Sequence, residues 1–461
     1  MSADPECAPR TGRASLYAFT IAFVASVGGF LFGYDMSVVG GANLYLRDQF
    51  HLSAAAFGFA TGSAALGCII GPFIGAWLCD AIGRTWTMMV ACLLLGVGSI
   101  MTAIPNDIVT FNLFRIVGGV GVGLCSVASP MYISETSPAR LRGGLGTMYQ
   151  LAIVVGSIVA PFVCWILAKK LPATTCWRWM FASEVLPVVF FVGCLFFLPH
   201  SPRWLAGRGR YDEALAVLTK VDGPGFARQE MEQIKASLAE ETGRFSELFA
   251  PGIRYALLIG TLLAFFNNWT GWSVMGGYIA LLFEASGLND RAQAILQFTV
   301  AYAFMGVMTL VACWTVDRVG RRPLWLFASA LMAVVTALTG AVFHFQWTGL
   351  VVLLVIMLCT VPHGLALGPL PWLMMSEIFP TRIRARAVSL TTAFLWVTIY
   401  SGAQLFPVMS AYSKEKIGSV GGAFWLFTAI CVLSFLFGWK MLPETKGRTL
   451  EEIAASWKKR S

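Results

Sequence analysis

Twelve long apolar stretches constrain this chain more than any other feature of its sequence. An α-helix needs about 20 mostly apolar residues to cross a hydrocarbon core of about 30 Å, and each stretch approaches or exceeds that length. The stretches are continuous apolar runs and do not alternate apolar with polar residues, so we interpret them as helices and not as barrel strands. The predicted spans are residues 17–40, 55–79, 86–104, 108–133, 145–168, 178–198, 255–283, 293–316, 323–343, 349–375, 388–411 and 420–441.

The composition is typical of a membrane protein. Of the 461 residues, 57% are hydrophobic and 12% are charged, and the mean hydropathy is +0.71. One globular core would not hide that much apolar surface, so we expect the excess to face the lipid bilayer. The first span ends at Gly33-Tyr34-Asp35, which is not a small-residue cleavage site, and eleven spans follow it. A cleaved secretory signal is therefore not expected.

The formal net charge of +9 is interpreted as a sign of orientation. If both termini lie on one side of the membrane, 25 of the 33 lysines and arginines fall on that side, 7 fall in the opposite loops and Arg115 falls within a span. This asymmetry follows the positive-inside rule, which predicts cytoplasmic termini in a plasma or inner cell membrane. The basic residues are thereby accounted for, and no nucleic-acid partner is expected.

Cysteines and small residues inside the spans are interpreted as packing residues. The 11 cysteines show no CxxC pair and no metal-ligand spacing, so neither a metal nor any other cofactor is predicted. Cys164 and Cys176 bracket one external loop and are the pair considered for a disulfide bridge. Gly119 and Gly123 share one face of the fourth span, where they let another backbone approach closely.

A polar linker divides the chain into two halves. The composition shifts abruptly between Pro199 and Pro251, where residues 211–221 and 229–241 are predicted to form short soluble helices. The predicted organisation is an N-terminal six-helix bundle at 1–198, a cytoplasmic linker at 199–252, a C-terminal six-helix bundle at 253–442 and a cytoplasmic tail at 443–461.

Two charged motifs occur once in each half. The first, Asp-x-x-Gly-Arg, follows the second span at Asp80 and the eighth span at Asp317, 237 residues later. The second, Ser-Glu-x-x-Pro-x-Arg-x-Arg, contains Glu135 after the fourth span and Glu377 after the tenth, 242 residues later. The nearly constant offset indicates duplication of a six-helix unit. Parallel repeats of this kind place a solute site between the halves, near the middle of the bilayer.

Two further motifs open the linker and the tail. They read Pro199-His200-Ser201-Pro202-Arg203-Trp204-Leu205 and Pro443-Glu444-Thr445-Lys446-Gly447. With the repeated motifs, and over nearly the whole chain, the sequence resembles the sugar porter family of the major facilitator superfamily. The resemblance implies an all-α membrane protein with twelve transmembrane helices in two pseudo-symmetric six-helix bundles. The chain departs from the family pattern at His200, where an acidic residue is usual, and at Thr85, where a second base is usual.

Asp35 and Arg115 are the only charged residues that we place well inside the spans of the first half. A lone charge at the bilayer centre costs roughly 2.5–3.5 kcal/mol, so the two are expected to neutralise each other or to face water. One interpretation is a structural ion pair between the first and fourth helices. The other is a proton-coupling site, in which Asp35 takes up and releases a proton as access alternates. The resemblance favours the second, because an acid at this position resembles the family's proton symporters.

Charged residues at the cytoplasmic helix ends are predicted to act as a gate. Opposite charges there can pair while the inner side is closed and separate when it opens. For any single base, the alternative is that it only sets the topology. The predicted gating residues are Asp80, Arg84, Glu135, Arg142, Asp317, Arg321, Arg322, Glu377 and Arg384.

The resemblance also implies where the solute binds. Gln150 stands where the family has a sugar-binding glutamine, and Trp372 stands where it has a stacking tryptophan. Asn267, Asn268 and Ser273 stand where the family usually has two glutamines and an asparagine. The predicted solute-binding residues are Phe32, Gln150, Asn267, Asn268, Ser273 and Trp372.

Other positions of this pocket also depart from the family. Four of them lack the polar or aromatic side chain that is common there: Gly277, Met305, Leu395 and Ile399. Small residues at intervals of three, three and four predict a polar stripe on a helical seventh span: Asn267, Thr270, Ser273 and Gly277. The stripe either packs against another helix or lines the solute path. The shorter side chains predict a wider cavity and weak or no use of D-glucose, unless Trp272 fills the space.

We therefore expect a secondary active transporter that carries a sugar or polyol with a proton by alternating access, and that functions as a monomer. The alternative within this class is a facilitative, uncoupled uniporter. The alternative outside it is a membrane sensor that binds the solute without transporting it. An enzyme is not expected, because the sequence shows no nucleophile with a base, no metal cluster and no phosphate loop where water reaches.

Overall fold

The structure, a computed structural model, describes residues 12–138, 141–239, 245–251, 253–285, 287, 290–380 and 383–446. Helices joined by short loops make up this part of the chain, and no strand occurs in it. The predicted tail beyond residue 446, the end of the second linker helix and the Arg142 side chain lie outside the described residues.

The first six predicted spans are helical, with boundaries within a few residues of the prediction at most ends. The sixth is divided by a turn at Ser183-Glu184. The helices are α1 (Gly12–Gln49), α2 (Ala54–Ile82), α3 (Arg84–Ala103), α4 (Ile108–Thr136), α5 (Arg142–Lys170), α6 (Cys176–Ala182) and α7 (Val185–Leu195). Ser53 and Asp107 cap α2 and α4, because each side chain accepts a hydrogen bond from an N–H group of the first turn.

The linker contains two short helices where the sequence predicts them. It comprises α8 (Pro202–Gly207), α9 (Tyr211–Asp222), α10 (Pro224–Ala239) and a 3-10 helix (Phe245–Phe249). Helix α10 begins earlier than predicted, at Pro224, because proline suits the first turn of a helix. Leu205, Leu218 and Ile234 pack together in a small apolar core of the linker's own.

The second half contains six further spans, of which two are irregular. Its elements are α11 (Ile253–Trp269), α12 (Trp272–Gly276), α13 (Ile279–Ala285), α14 (Arg291–Val319), α15 (Arg321–His344), α16 (Leu350–Leu358), α17 (Thr360–Pro362), a π-helix (His363–Leu367), α18 (Pro369–Glu377), α19 (Arg384–Ile417) and α20 (Gly421–Lys440). In the described residues, 11 segments are long and apolar enough to cross a membrane, two of them interrupted within the sixth and tenth spans, and the seventh span consists of three shorter helices. The all-α membrane fold is thus confirmed.

The predicted stripe along a helical seventh span is wrong at Thr270. Helix α11 ends just before this residue, and Gly271 adopts a φ of +115°, which carries no Cβ penalty for glycine. Thr270 is fully buried and its hydroxyl donates to the carbonyl oxygen of Phe266 at 2.9 Å. It therefore does not face the solute path. A single glycine in an apolar run is also compatible with a helix, so periodicity alone misses this break.

Close backbone contact between α2 and α4 depends on glycine, as the sequence predicts. A Cβ added to Gly119 would lie 1.9 Å from the carbonyl oxygen of Ala64, and one added to Gly67 would lie 2.1 Å from that of Ile116. Both neighbouring atoms are backbone, so no side-chain rotation relieves the clash. The two helices pack closely because each presents a glycine to the other.

Gly119→Ala is expected to destabilise the protein, because α2 and α4 must separate to admit the methyl group. Overpacking of this kind costs about 1–3 kcal/mol. Thermal unfolding of the purified protein in detergent measures the loss as a lower melting temperature. Gly193→Ala on α7 is the matched control, since no atom lies within 4 Å of its added Cβ. Equal melting temperatures for the two variants would contradict the packing argument.

The described cysteines are free thiols, and most are buried. Cys164 and Cys176 form no disulfide, and their sulfurs lie 3.9 and 3.6 Å from the carbonyl oxygens of Val38 and Ala173. Their interpretation as small packing residues agrees with this burial.

Polar contacts join the two halves at the end of the bundle away from the linker. Arg291, at the start of α14, forms an ion pair with Asp48 at the end of α1. Asn43 of α1 donates to the carbonyl oxygen of Gly277 at 2.6 Å. The halves are therefore held together at this end in the conformation that the structure describes.

Candidate functional site

A cavity of about 250 Å³ lies between the two halves. One wall comes from α1, α2, α4 and α5, and the other comes from α11, α12, α14, the π-helix, α18 and α19. All six residues predicted to bind the solute line this cavity: Phe32, Gln150, Asn267, Asn268, Ser273 and Trp372.

Gln150 and Trp372 reach the cavity from opposite halves. Gln150, half-buried on α5, bonds through its side chain to no other described residue. Trp372, half-buried on α18, packs beside Leu395 and Met375. An amide supplies both a hydrogen-bond donor and an acceptor, and an indole ring supplies a flat apolar face. Together these groups suit a solute with hydroxyl groups on its edge and C–H groups on its face.

The two asparagines of α11 stabilise neighbouring helices as well as lining the cavity. The Asn267 amide nitrogen donates to the carbonyl oxygens of Leu367 and Gly368, at 2.8 and 3.0 Å. The Asn268 amide nitrogen donates to the Thr398 hydroxyl at 2.9 Å. Their donor groups are therefore already used within the protein, and their oxygen atoms are the groups left for a solute.

Trp272 is a buried part of the cavity wall. It is 1% exposed, lines the cavity, and its indole nitrogen donates to the sulfur of Met305 at 3.0 Å. Gly277 also lines the cavity, and a Cβ there would lie 3.1 Å from the Thr61 side chain. Trp272 therefore stands at the cavity wall where the expectation of a wider cavity made its exception.

Several side chains of the cavity wall were not predicted from the sequence, and two of them carry ring nitrogens. Trp396 on α19 is fully buried, its ring centroid lies 5.3 Å from that of Phe32, and its indole nitrogen has no partner among the described residues. His363 of the π-helix is 9% exposed and also lines the cavity. The sequence did contain a signal for each. Trp396 directly follows Leu395, a position already placed in the pocket, and His363 is a lone histidine within an apolar span.

Asp35 and Arg115 form the buried ion pair that the sequence predicts between α1 and α4. One guanidinium nitrogen lies 2.5 Å from Asp35 Oδ1, and the side chains are 2% and 3% exposed. The guanidinium also lies 5.2 Å from the ring centroid of Phe181, a favourable cation–π distance. Arg115 lines the cavity, so the pair adjoins the candidate solute site.

The expectation that these are the only charged residues inside the first-half spans is wrong, because Glu184 is also there. Glu184 is fully buried at the turn between α6 and α7, and its Oε2 accepts a hydrogen bond from Ser99 at 2.8 Å. Its neighbour Ser183 bonds to Tyr34, the residue before Asp35, at 2.6 Å, and Arg115 lies over Phe181 of α6, so Glu184 lies near the Asp35–Arg115 pair. Asp35 Oδ2 and Glu184 Oε1 accept no hydrogen bond from the residues that the structure describes.

Three of the four predicted gating residues of the first half, Asp80, Arg84 and Glu135, form one cluster at the start of α3. Arg84 donates to Glu135 at 2.8 Å and lies 3.7 Å from Asp80. Ser201 of the linker also donates to Glu135. The linker is thereby attached to the end of α4.

The second half repeats this arrangement at the start of α15. Arg321 donates to Glu377 at 2.9 Å and to Asp317 at 3.0 Å. Thr445, the counterpart of Ser201, donates to Glu377 at 2.6 Å. Each of these four ion pairs joins residues of the same half, so they do not connect the two halves in this conformation.

The two other gating residues whose side chains are described contact backbone. Arg322 donates to the carbonyl oxygens of Gly438 and Trp439 at the end of α20. Arg384 donates to the carbonyl oxygen of Phe379 at 3.2 Å. Both contacts lie within the second half.

The departure at His200 makes the two clusters unequal. Glu444 accepts hydrogen bonds from the N–H groups of the first two residues of α15, both at 3.1 Å. At α3 the corresponding position, beside Gly83, is taken by His200, whose Nδ1 has no partner in the described part of the chain. Burial, and next the charge of Arg210, lower the pKa of His200. The ring is therefore neutral at neutral pH and lacks the negative charge that suits a helix N-terminus.

Comparison with known proteins gives close relatives among transporters. Residues 21–457 match the family model described as sugar (and other) transporter. The arabinose-proton symporter of Bacillus subtilis is 37% identical over 451 residues, covering 96% of this chain and 95% of the relative. The D-xylose-proton symporter of Escherichia coli is 36% identical over 476 residues, with 96% of each chain covered.

The fold matches a solved relative as well. The inward-open conformation of the xylose transporter XylE from E. coli superposes with a TM-score of 0.85 at 33% identity, over 96% of this chain and 100% of that one. These relatives are transporters and not enzymes, which agrees with the expectation from the sequence. Because the family model and the relatives cover nearly the whole chain, the protein belongs to the sugar (and other) transporter family of the major facilitator superfamily.

Proposed function

We propose that the protein is a proton-coupled symporter, which carries a sugar or polyol across the membrane by alternating access. The observation that carries this proposal is a buried group of two acids and one base beside a polar cavity between the halves: Asp35, Glu184 and Arg115. The names of the relatives, proton symporters for arabinose and xylose, support the same reaction. The proton acts as coupling ion, and no cofactor is required.

The buried group has one negative charge too many. Two ionised carboxylates beside one guanidinium would leave a net charge of −1 in a low-dielectric site, which is costly. A proton on one of the two carboxyl groups removes that charge, and Asp35 Oδ2 and Glu184 Oε1 are the oxygen atoms without a partner in the described residues that could carry it. Separation of these groups as access changes would release the proton. The pair with Arg115 then acts in coupling and not only in packing.

The conformation is one step of such a cycle. The polar contacts between the halves described above lie at the end away from the linker, and the XylE structure matched above is inward-open. We propose that the clusters around Arg84 and Arg321 pair with the opposite half when the inner side closes. The cluster at α3 has His200 where the cluster at α15 has Glu444. It lacks that negative charge at the start of its helix and would be the weaker of the two.

Transport in proteoliposomes tests the proposal. The purified protein is supplied with labelled pentoses, hexoses and polyols, with and without an imposed pH gradient. Accumulation above equilibrium that an uncoupler abolishes is expected for a symporter. Uptake that only equilibrates would identify a uniporter, and binding without uptake would identify a sensor; either result would overturn the proposal.

Gln150→Ala and Trp372→Ala are each expected to weaken solute binding tenfold or more, about 1.4 kcal/mol, because each removes a contact at the cavity wall. Isothermal titration of the purified variants with the best-transported sugar measures the loss. Trp77→Ala is the matched control, since this tryptophan is 67% exposed on the lipid side of α2. Unchanged affinity in both cavity variants would remove the site.

The orientation is proposed from the charge asymmetry. Both termini and the linker are placed in the cytoplasm, in the plasma or inner membrane, with bundles at 1–198 and 253–442 and the protein acting as a monomer without nucleic acid. A reporter fused after Ser461, or inserted near Gly223, is expected to be cytoplasmic. A reporter on the outer face at either point would contradict the assignment of twelve spans.

A further inference from the structure

The π-helix in the tenth span presents a histidine to the cavity. Its wide turn is closed by a hydrogen bond from the Gly368 N–H to the His363 carbonyl oxygen at 2.8 Å, five residues apart. Pro369 follows directly, and Asn267 of α11 holds the carbonyl oxygens of Leu367 and Gly368. Turns of this kind are frequent at functional sites. The side chain of His363 is thereby fixed in the wall that faces the other half.

His363 offers hydrogen-bonding atoms that the protein does not use. The residue is 9% exposed, and no described side chain or backbone group bonds to its ring. Its Nδ1 is enclosed, and its Nε2 lies 3.0 Å from the position of a Cβ on Gly368, another cavity residue. Because Gly368 has no side chain, Nε2 stays accessible from the cavity.

Packing alone does not explain a histidine here. The neighbouring Trp272 ring, 6.4 Å away between centroids, would pack equally well against a phenylalanine. Buried polar groups in folded proteins are nearly always hydrogen-bonded, so a ring left without a partner beside a solute cavity points to the solute as that partner. A neutral imidazole has one donor and one acceptor, and a sugar hydroxyl complements either.

We propose that His363 is a specificity-determining residue that binds one hydroxyl group of a neutral sugar through Nε2. This inference rests on the proposed function and adds to it a contact on the second half, on the same side of the cavity as Trp372. Because Asn267 and Asn268 use their donor groups inside the protein, the imidazole replaces contacts that longer amides would make. The sugar is then selected by the position of the hydroxyl that reaches this nitrogen.

Ligand binding to matched variants tests the assignment. Affinities of D-xylose, L-arabinose and D-galactose, and of the monodeoxy analogues of whichever binds best, are measured by titration calorimetry on the purified protein. His363→Phe is expected to weaken binding of the parent sugar about fivefold to tenfold, as for loss of one hydrogen bond. One monodeoxy analogue lacks the hydroxyl group that His363 binds. Wild type and His363→Phe are expected to bind this analogue with equal affinity, because the hydrogen bond is already absent in both complexes.

A second pair of variants identifies the nitrogen and does not depend on the phenylalanine variant folding. His363→Gln places an amide near the position of Nε2 and is expected to keep affinity within about threefold, whereas His363→Asn places it near Nδ1 and is expected to behave like the phenylalanine variant. His344→Phe is the control, since the Nδ1 of this histidine also lacks a partner among the residues described, while its ring contacts Trp425 away from the cavity.

Two results would overturn the inference. If all three His363 variants bind every analogue like wild type while Gln150→Ala loses binding, the solute site stands and the role of His363 is wrong. If His363→Asn keeps affinity and His363→Gln loses it, Nε2 is the wrong atom. A wild-type protein that accumulates none of these sugars in proteoliposomes would contradict the proposed function itself.

Discussion

Asp35→Asn is expected to abolish uphill uptake while leaving exchange of solute down its gradient largely intact. The amide keeps the shape of the carboxylate and can still accept from Arg115, but it cannot take up or release a proton. Arg115 then balances the charge of Glu184, so the buried group is neutral without a proton. Proteoliposomes with an imposed pH gradient measure accumulation, and preloaded vesicles measure exchange.

Asp212→Asn, on the exposed linker helix α9, is the control and should transport like wild type. Glu184→Gln separates the roles of the two acids. If both Asp35 and Glu184 are needed to hold the proton, Glu184→Gln should also abolish accumulation of the solute against its gradient. An Asp35→Asn protein that still accumulates solute against its gradient would show that coupling does not pass through this residue.

The spans and the repeated motifs could be predicted from the sequence because they depend on local properties. Length and hydropathy determine whether a segment can cross the bilayer, so all twelve segments were found within a few residues of most of their ends. The pair of Asp35 with Arg115 was also accessible, since two opposite charges inside one half of a membrane domain must meet or face water.

Glu184 was missed for a physical reason. It lies near the start of an apolar segment, where a glutamate can also reach the interface, and only the packing of α6 and α7 against α3 buries it beside Ser99. The break at Gly271 and the π-helix at His363 are similar cases. Both depend on contacts between distant segments, such as the bonds from Asn267 to the π-helix carbonyl oxygens, which no local pattern contains.

The roles of the asparagines show the same limit. The resemblance places Asn267 and Asn268 at the solute, and both do line the cavity. Only the three-dimensional contacts show that their donor groups hold Gly368 and Thr398. A residue type at a family position therefore predicts the place of a side chain better than it predicts which of its atoms remain for the solute.

Arg115→Ala is expected to be the most destabilising of these changes. It leaves Asp35 and Glu184, both buried, without the one base that they share. Removing one partner of a buried ion pair typically costs about 3–5 kcal/mol, much more than the pair itself contributes. The melting temperature in detergent should fall accordingly, and transport should be lost.

The double variant Asp35→Asn with Arg115→Ala decides whether unpaired charge is the cause. Removing the acid together with the base leaves only Glu184 to be neutralised, so the double variant should be more stable than Arg115→Ala alone. Arg210→Ala is the matched control, because Arg210 and Glu213 form an exposed pair, and such pairs contribute at most about 1 kcal/mol. If the double variant were as unstable as Arg115→Ala, the loss would come from missing packing against Phe181 and not from charge. In that case the ion pair between Asp35 and Arg115 would contribute little to the free energy of unfolding. Proton coupling alone would then account for an acid at position 35.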